Sequence, residues 1–334
     1  MKFLGFCLTM LAFMMVPMGA VLKLYTEAPT VIYVNGGGKK VATSSASTNT
    51  SSVTPSKRAD ATEESKEGPA APRMGSGSMF DNIAVVYDKV NKWMTFGLDE
   101  QWRATMVKEC MQLRPDDKVL DLATGTADVG IHVAQQLRHL GNPGPNAVWG
   151  LDPSQQMLKV GVGKVHDKNL QHVVRLVKGD AQDLREVQVI DMNGDVAEKS
   201  PGLAEGTVDK ISMSFGIRNV PDRTKAVKEM VRMLRRSEQS RVCILELSQP
   251  TGDNFFSRLA QLFITEVVPL MGKVATMGSA TGGEEYAYFI RSILRFPKPL
   301  EFAEELADAG LSVETITSFA FGAVNLYTAK PTLT

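Results

Sequence analysis

Residues 118–128 read Lys-Val-Leu-Asp-Leu-Ala-Thr-Gly-Thr-Ala-Asp, and this stretch decides the fold. It begins as an apolar strand, Lys118–Leu122, and continues as a turn of small residues around Gly125. The run Val129–Leu137 that follows has the pattern of a helix. A strand, a tight turn and a helix in this order form the unit that binds nucleotides in open α/β sheets. The sequence therefore predicts a nucleotide-type site here, where Gly125 leaves the backbone open to a ligand.

The charge of the turn indicates which kind of nucleotide fits. A dinucleotide site uses the pattern G-x-G-x-x-G around a pyrophosphate. This turn instead offers one glycine and two carboxylates, Asp121 and Asp128. Carboxylates repel phosphate and attract a cation. S-adenosylmethionine carries an amino group and a sulfonium but no phosphate, so the turn favours this cofactor.

Strands and helices alternate along the rest of the chain, which predicts an α/β fold with a mostly parallel sheet and flanking helices. The segment 185–206 has weak periodicity and is predicted to be a surface insertion. Seven strands are predicted, at Lys118–Leu122, Ala147–Leu151, Val173–Lys178, Lys210–Ser214, Arg241–Leu247, Glu314–Ile316 and Val324–Thr328. Helices are predicted at Met79–Asp88, Asp99–Met111, Thr224–Arg236 and Pro299–Ala309.

Three successive predicted strands end in or next to an acid: Asp121, Asp152 and Asp180. The carboxyl ends of neighbouring parallel strands share one crevice, so these side chains should lie close together. Asp152 is placed to accept the ribose hydroxyls, with a helix N-cap as its alternative role. Asp180 and Ala181 are placed to accept an adenine amino group while leaving room for the ring.

Arg218 and Asn219 follow the fourth predicted strand, on the side of the crevice where a substrate would enter. A guanidinium there can hold a phenolate or quinone oxygen, and the Asn219 amide can hydrogen-bond a second one. The alternative is that Arg218 pairs with a structural carboxylate. Gly216 just before them favours the functional interpretation, since it permits close packing against a ligand.

The composition excludes several classes of protein. The chain has 334 residues, is 43% apolar and carries 37 basic and 37 acidic residues, so its charge gives no reason to expect a nucleic-acid partner. Its three cysteines contain no C-x-x-C, and its four histidines lie near no set of ligands. We therefore expect neither a disulfide framework nor a metal site.

Residues 1–78 differ in composition from 79–334, the predicted folded domain. The apolar run Phe3–Leu22 resembles a signal peptide and is long enough for one membrane span. A Ser/Thr-rich tract and a charged linker follow, and they predict disorder. We interpret 1–78 as a targeting leader and disordered linker, with a plastid as the favoured organelle. An uncleaved membrane anchor, or the matrix side of the mitochondrial inner membrane, is the alternative.

Several motifs together resemble the ubiquinone/menaquinone biosynthesis C-methyltransferases, a family of class I S-adenosylmethionine-dependent methyltransferases. The resemblance runs from Met79 to about Lys330. It rests on M-F-D-x-I-A-x-x-Y-D at Met79–Asp88, F-G-x-x-x-x-W-R at Phe96–Arg103, D-x-A-T-G-T-A-D at Asp121–Asp128, S-F-G-I-R-N-V at Ser214–Val220, L-E-L-S-x-P at Leu245–Pro250 and Y-x-Y-x-x-x-S-I-x-x-F-P at Tyr286–Pro297.

The resemblance implies a class I, Rossmann-like methyltransferase fold. It also implies cofactor-binding residues, which we join here with those derived above from the strand ends. That cofactor-binding set is Asp121, Gly125, Thr126, Asp152, Asp180, Ala181 and Ser214. The implied substrate side is Arg218, Asn219 and Tyr87, with Asp88 and Asp128 as candidate proton acceptors and Tyr87 as a relay. Four positions depart from the family pattern: Ala127, Gln249, Arg291 and Tyr327 replace a common glycine, lysine, glutamate and histidine.

The expected reaction is C-methylation of a prenylated quinol ring in quinone biosynthesis. The ending F-G-A-V-N-L-Y at Phe321–Tyr327 favours demethylmenaquinol or demethylphylloquinol. The alternatives are the 2-methoxy-6-polyprenyl-1,4-benzoquinol methylase of ubiquinone biosynthesis and a non-catalytic scaffold of a quinone-synthesis complex. Expected partners are the quinol, a membrane surface, and a second copy or such a complex. The apolar segment Phe255–Met271 is either a lid that admits the prenyl tail or a core helix.

Overall fold

The computed structural model describes most of the chain from residue 95 onward and shorter pieces before it. The described residues are 30–34, 41–44, 77, 80, 81, 84, 88, 91, 92, 95–141, 143–250, 258, 261 and 282–333, with the backbone alone at 41–44 and 282–287. Tyr87 and almost all of Phe255–Met271 lie outside these residues, as does the apolar run Phe3–Leu22.

One mixed sheet with helices on both faces organises the described residues. Its strands are β1 Thr30–Val34, β2 Val41–Ser44, β3 Val119–Leu122, β4 Val148–Asp152, β5 Val174–Asp180, β6 Asp183–Ile190, β7 Val196–Pro201, β8 Lys210–Ser214, β9 Arg241–Leu247, β10 Leu311–Phe319 and β11 Val324–Pro331. The helices are α1 Leu98–Thr105, α2 Asp128–Leu140, α3 Gln155–Asp167, α4 Arg223–Met233, α5 Gly282–Arg295 and α6 Pro299–Asp308. A π-helical turn, Met106–Cys110, continues α1.

The strand order is β2-β1-β10-β11-β9-β8-β3-β4-β5-β6-β7. The five strands β5, β4, β3, β8 and β9 are parallel, and β11 and β10 pair antiparallel at one side. These seven strands are the ones that the sequence predicts, so the predicted α/β fold is confirmed. The chain leaves β3 toward β4 on one side and returns to β8 on the other. The carboxyl end of β3 is therefore the switch point where open α/β sheets bind ligands.

Two antiparallel hairpins extend this sheet beyond the seven predicted strands. Most of the predicted surface insertion 185–206 lies in β6 and β7, and the apolar Leu184, Val187 and Ile190 of β6 pack into the core. Within residues 1–78, β1 pairs with β10 and β2 pairs with β1. The strand β2 lies in the Ser/Thr-rich tract for which disorder is expected, whereas β1 lies before it, where its β-branched run favours a strand.

The core lies on both faces of the sheet. On one face, α1, α2 and α3 cover the strands, and Trp102, Leu137 and Leu158 are buried there. On the other face, α4 and α6 bury Met230 and Phe302. Each such side chain stabilises the fold by roughly 1.5–3 kcal/mol relative to an exposed position. This burial holds the carboxyl ends of β3, β4, β5 and β8 in fixed positions around one crevice.

A disulfide joins the end of the π-helical turn to the middle of β9. Cys110 and Cys243 are both buried, and their Cα atoms are 6.0 Å apart. The expectation of no disulfide is wrong in this respect, because the two cysteines are separated by 133 residues and only the fold brings them together. No helix among the described residues has the length and hydropathy needed to cross a bilayer.

Candidate active site

A crevice of about 670 Å³ opens at the carboxyl ends of β3, β4, β5 and β8. Residues of the N-terminal segment also border it: Phe80 lines it, and the Gly77 backbone lies close to the Pro153 backbone. Six of the predicted site residues line the crevice: Gly125, Asp152, Asp180, Ala181, Ser214 and Asn219. The structure thus brings together residues that are far apart in the sequence, as the acids at the strand ends predicted.

Asp152 is the best-defined polar group of this crevice. Its Oδ2 accepts a hydrogen bond from the Gly125 amide at 2.9 Å, and its Oδ1 accepts one from the Ser154 amide at 2.8 Å. A carboxylate has about four acceptor positions, so two remain for a ligand. Burial raises the pKa of Asp152 to about 6. The carboxylate is therefore pre-oriented for ribose hydroxyls, and its charge depends on pH near neutrality.

Asp121 lies behind the turn and not in the crevice. Its Oδ2 accepts from the Thr124 hydroxyl at 2.6 Å and its Oδ1 from the Ser212 hydroxyl at 2.7 Å. The residue is 1% exposed, and burial raises its pKa to about 6. Asp121 therefore fixes the shape of the turn, and it affects a bound cofactor through that shape and not by direct contact.

The crevice fits a cationic nucleotide in two further ways. The Ser214 hydroxyl is buried and has no hydrogen-bond partner among the described residues, which leaves it available to a ligand. Apart from its two chain neighbours, no described residue has an atom within 4 Å of the position that a Cβ at Gly125 would occupy, so the turn is open there. The charged residues among its described lining are Asp152 and Asp180, both acidic. These features match S-adenosylmethionine, whose positive charge the two carboxylates attract.

Three of the nine described non-glycine residues with positive φ lie at the same place. Ala123, Ala127 and Phe215 have φ values of 51°, 68° and 57°, in the left-handed region that favours glycine. Strain of this kind persists only where the surrounding structure holds it, often at functional sites. It also explains one departure from the family pattern, because Ala127 occupies a conformation that glycine adopts at lower cost.

A network of charged groups holds the outer side of the turn. Lys164 on α3 donates to Asp88 at 3.0 Å and to Thr126 at 3.0 Å, and it is paired with Asp128. Thr126 also donates to Asp88, at 2.8 Å. Of these predicted site residues, Thr126 is buried, while the Asp88 and Asp128 side chains are 39% and 30% exposed. None of them lines the crevice, so their contacts fix the turn from outside.

A second cavity of about 360 Å³ lies on the other side of Phe215, whose side chain borders both spaces. Two guanidinium groups line it, those of Arg103 and Arg218. Arg103 lies over the ring of Phe215 at 5.7 Å, and Arg218 lies over the ring of Phe289 at 5.2 Å. Asp99 completes its charged lining. Aromatic walls and guanidinium groups make this cavity suitable for a flat ring that carries oxygen atoms.

Arg218 pairs with a buried carboxylate, the structural role that the sequence left open as an alternative. Its Nη1 donates at 2.6 Å to Glu246, which is 0% exposed, and at 2.6 Å to the Phe215 carbonyl. Its Nε donates to Ser292 at 3.3 Å, while Nη2 has no hydrogen bond to a described residue. Glu246 therefore holds the guanidinium in place with one nitrogen directed elsewhere. The functional and the structural interpretations of Arg218 are compatible.

Consecutive residues serve the two cavities. Asn219 lines the cofactor crevice and accepts a hydrogen bond from the Tyr288 hydroxyl at 3.4 Å, whereas Arg218 lines the second cavity. Burial raises the pKa of Tyr288, which stays protonated as a donor. Strand β8 and the turn after it thus connect the cofactor side to the ring side.

Sequence reasoning did not single out Asp99, Arg103, Glu246, Tyr288 or Phe289. The first four lie inside the quoted motifs F-G-x-x-x-x-W-R, L-E-L-S-x-P and Y-x-Y-x-x-x-S-I, and Phe289 follows Tyr288 directly. The motifs were the available signal, but only the fold shows which of their residues meet.

Two other positions that depart from the family pattern, Tyr327 and Gln249, lie away from both cavities. Tyr327 is 0% exposed and packs edge-on against Phe302 in the core. The Gln249 side chain donates to the Leu294 carbonyl at 2.6 Å. Among the residues that the structure describes, no group of three or more His, Cys, Asp or Glu side chains is arranged to hold a metal ion.

Comparisons with known proteins agree with this geometry. Residues 73–330 match the ubiE/COQ5 methyltransferase family. The ubiquinone/menaquinone biosynthesis C-methyltransferase UbiE of Geotalea daltonii is 30% identical over 252 residues, 75% of this chain and 94% of that protein. A demethylmenaquinone methyltransferase of Anoxybacillus flavithermus is 32% identical over 250 residues, 75% of this chain and 92% of that protein. A solved S-adenosylmethionine-dependent methyltransferase from Aquifex aeolicus has a TM-score of 0.47 and 16% identity, over 75% of this chain and 97% of its own. The range that matches the family contains both cavities.

Proposed function

Since this chain belongs to the ubiE/COQ5 methyltransferase family and is an S-adenosylmethionine-dependent methyltransferase, we propose that it methylates a ring carbon of a prenylated quinol. The observation that carries the proposal is the pair of cavities on either side of Phe215. One is acidic and fits the cofactor, and the other has aromatic walls and two guanidinium groups. Because Phe215 lines both, a ring in the second cavity would lie close to a methyl donor in the first.

The residues of the second cavity provide for the ring chemistry. A reduced quinol is the nucleophile, because loss of a phenolic proton moves electron density onto the adjacent carbon. When bound, S-adenosylmethionine supplies an electrophilic methyl group on its sulfonium. Arg218 stays protonated in a protein, so we assign it the electrostatic stabilisation of the phenolate. Asn219 reaches the cofactor crevice and is placed to hydrogen-bond a group where the two spaces meet.

We propose a naphthoquinol, demethylmenaquinol or demethylphylloquinol, as the ring. The names of relatives support this choice, since several of them are demethylmenaquinone methyltransferases. The ending at Phe321–Tyr327 supports it only indirectly, because Tyr327 lies in the core. The benzoquinol of ubiquinone biosynthesis is the second candidate, and the name shared by other relatives favours it equally.

The non-catalytic scaffold is the less favoured alternative. A scaffold has no need of an open turn at Gly125, a buried Ser214 hydroxyl without a partner and a pre-oriented Asp152 in one crevice. All three features are retained in this chain.

We further propose that the leader directs the protein to an organelle, a plastid in the first place and the mitochondrial matrix in the second. The composition of 1–78 supports this proposal. Contact with a membrane surface, and assembly with a second copy or a quinone-synthesis complex, are proposed because a prenylated substrate resides in the membrane. Cell fractionation with a fluorescent fusion of the leader tests the first proposal.

Mass spectrometry of quinones from cells that lack this protein tests the proposed function. The expected result is accumulation of a demethylated naphthoquinone, with the benzoquinone pool unchanged. Cells that carry Asp152→Ala in place of the native chain are the matched comparison. Accumulation in both lines supports an enzyme, whereas accumulation only without the protein supports a scaffold. A normal quinone profile in both lines contradicts the proposal.

A further inference from the structure

We propose that Asp99 is the catalytic base that takes the phenolic proton of the quinol. This inference rests on the proposed function. It assigns a chemical role to a residue of α1 that has no part in the cofactor site. Asp99 is the one carboxylate among the described residues that line the second cavity, where it faces the same space as Arg218.

The surroundings of Asp99 fix its orientation without using up its acceptor positions. The Thr95 hydroxyl donates to Oδ1 at 2.8 Å, and Arg103 donates to Oδ2 at 2.9 Å. A carboxylate accepts about four hydrogen bonds, so each oxygen keeps a position for a substrate hydroxyl. The Asp99 side chain is 9% exposed, which keeps bulk water away from the transferred proton. Geometry of this kind is the first requirement for a general base.

The other carboxylates near the site are less suitably placed. Asp88 and Asp128 line neither cavity, because both side chains lie on the outer side of the turn, where they contact Lys164. Glu246 is fully buried and accepts from the Arg218 side chain and from the Leu247 amide. Asp99 is therefore the one carboxylate of the described lining that a quinol beside Arg218 would meet.

The step balances as follows. The phenolic O–H bond breaks, its proton binds an Asp99 oxygen, and the remaining electron pair raises the electron density of the adjacent ring carbon. That carbon forms a bond to the methyl group while the bond from methyl to sulfur breaks, and the electron pair of that bond stays on sulfur as a neutral thioether. The methylated carbon loses its proton to water, and Asp99 returns its proton to the ring oxygen. The net change is one methyl gained and one proton released.

The pH dependence of methyl transfer by Asp99→Asn tests this assignment. Asparagine keeps the size of the side chain and an oxygen that accepts from Thr95, but it cannot take a proton. The assay follows transfer from S-adenosylmethionine to short-chain demethyl-naphthoquinol, kept reduced. Glu100→Gln, an exposed neighbour on α1, is the control for loss of charge. Calorimetry with S-adenosylmethionine and a melting curve for each variant show whether the cofactor site and fold persist.

We expect Asp99→Asn to lower kcat at neutral pH by about 10²–10⁴-fold, the usual contribution of a general base. The deficit should shrink as pH rises, and also with quinols that carry electron-withdrawing groups, since those substrates ionise without a base. Cofactor affinity and Glu100→Gln activity should match wild type. If Asp99→Asn does not fold, Asp99→Ala with added formate is measured instead, and recovery with rising formate is expected.

A deficit that is equal at every pH and for every quinol would show that Asp99 only positions Arg103, and the assignment would be overturned. The same conclusion follows from a wild-type rate in Asp99→Asn, or from Asp99→Ala that formate does not rescue. A wild-type protein that binds the cofactor but methylates neither the naphthoquinol nor the matching benzoquinol contradicts the proposed function itself, and the assignment with it. Failure of the inference alone is thus distinct from failure of the function.

Discussion

The charge of Asp152 should control cofactor affinity in a way that depends on pH. In Asp152→Ala the ribose hydroxyls lose their acceptor, and the amides of Gly125 and Ser154 lose theirs. A lost hydrogen bond that leaves a buried partner unpaired costs about 1–3 kcal/mol. At 1.36 kcal/mol for each factor of ten, S-adenosylmethionine should bind about 5- to 150-fold more weakly. Calorimetry on the purified, folded variant measures this change.

The pH series separates charge from shape. Burial raises the pKa of Asp152 to about 6, and the ionised carboxylate is the stronger acceptor. Affinity should therefore fall by up to about tenfold between pH 7 and pH 5 in wild type, since one pKa unit corresponds to one factor of ten. Asp152→Asn should lack this dependence, although its single oxygen can accept from only one of the two backbone amides that bind Asp152. Because the ligand and Asp121 titrate with both proteins, the difference between the two pH profiles isolates the titration of Asp152.

Protein stability gives an independent reading of the same pKa. The folded chain holds the Asp152 proton up to about pH 6, whereas the unfolded chain releases it near the ordinary value of 3.8. Between these values the folded state binds more protons, so the contribution of this group to stability falls as pH rises. The melting temperature of Asp152→Asn relative to wild type should rise over this window. Wild-type affinity in Asp152→Ala, or equal pH profiles in wild type and Asp152→Asn, would refute the assignment.

Three further predictions concern other parts of the molecule. Arg218→Ala should keep cofactor affinity and lower kcat by about 10²-fold or more, and it should lower the free energy of unfolding by about 3–5 kcal/mol because the buried Glu246 loses its partner. Arg218→Lys should recover part of the rate and part of the stability, whereas normal turnover of Arg218→Ala would show that Arg218 is only structural. Cys243→Ser should lower the free energy of unfolding by up to about 5 kcal/mol, the chain-entropy value for a loop of 133 residues. Urea denaturation without reductant measures this change, and an unchanged midpoint would show that the disulfide does not form. A chain that begins at Met79 should still melt in one cooperative transition, because the leader adds only the partly buried Ile32 and Val34 to the described core, and a broad transition would show a larger contribution.

The fold was largely predictable because its strands are buried on both faces. Mainly apolar stretches such as Val119–Leu122 and Arg241–Leu247 mark central parallel strands, and the observed strands begin and end within a few residues of the predicted ones there. The hairpin of β6 and β7 was not predictable in this way. It lies at the sheet edge, where only one face is covered and charged residues interrupt the pattern. The strand β1 joins β10 from across the chain, a pairing that no local signal contains.

The candidate site was predictable where one strand end positions one residue. Asp152 and Asp180 are such cases, and both line the crevice. Asp121 shows the limit, because the sequence places it at the turn but does not show that its carboxylate points to Thr124 and Ser212.

The second cavity was not predictable because it forms between distant segments. Asp99 and Arg103 come from α1, Arg218 from the turn after β8 and Phe289 from α5. The same holds for the Cys110–Cys243 disulfide. Contacts of this kind depend on tertiary packing and not on spacing along the chain.

Transfer of an isotopically labelled methyl group tests the central claim most directly. The purified protein is incubated with S-adenosylmethionine labelled with ¹³C in its methyl group and with reduced short-chain demethyl-naphthoquinol, in parallel with the matching benzoquinol. The carbon spectrum of the product identifies the atom that receives the label. We expect a methyl group bound to a ring carbon of the naphthoquinol, with slower transfer to the benzoquinol. Label on a ring oxygen, or no label in either quinol from a protein that binds the cofactor, would contradict it.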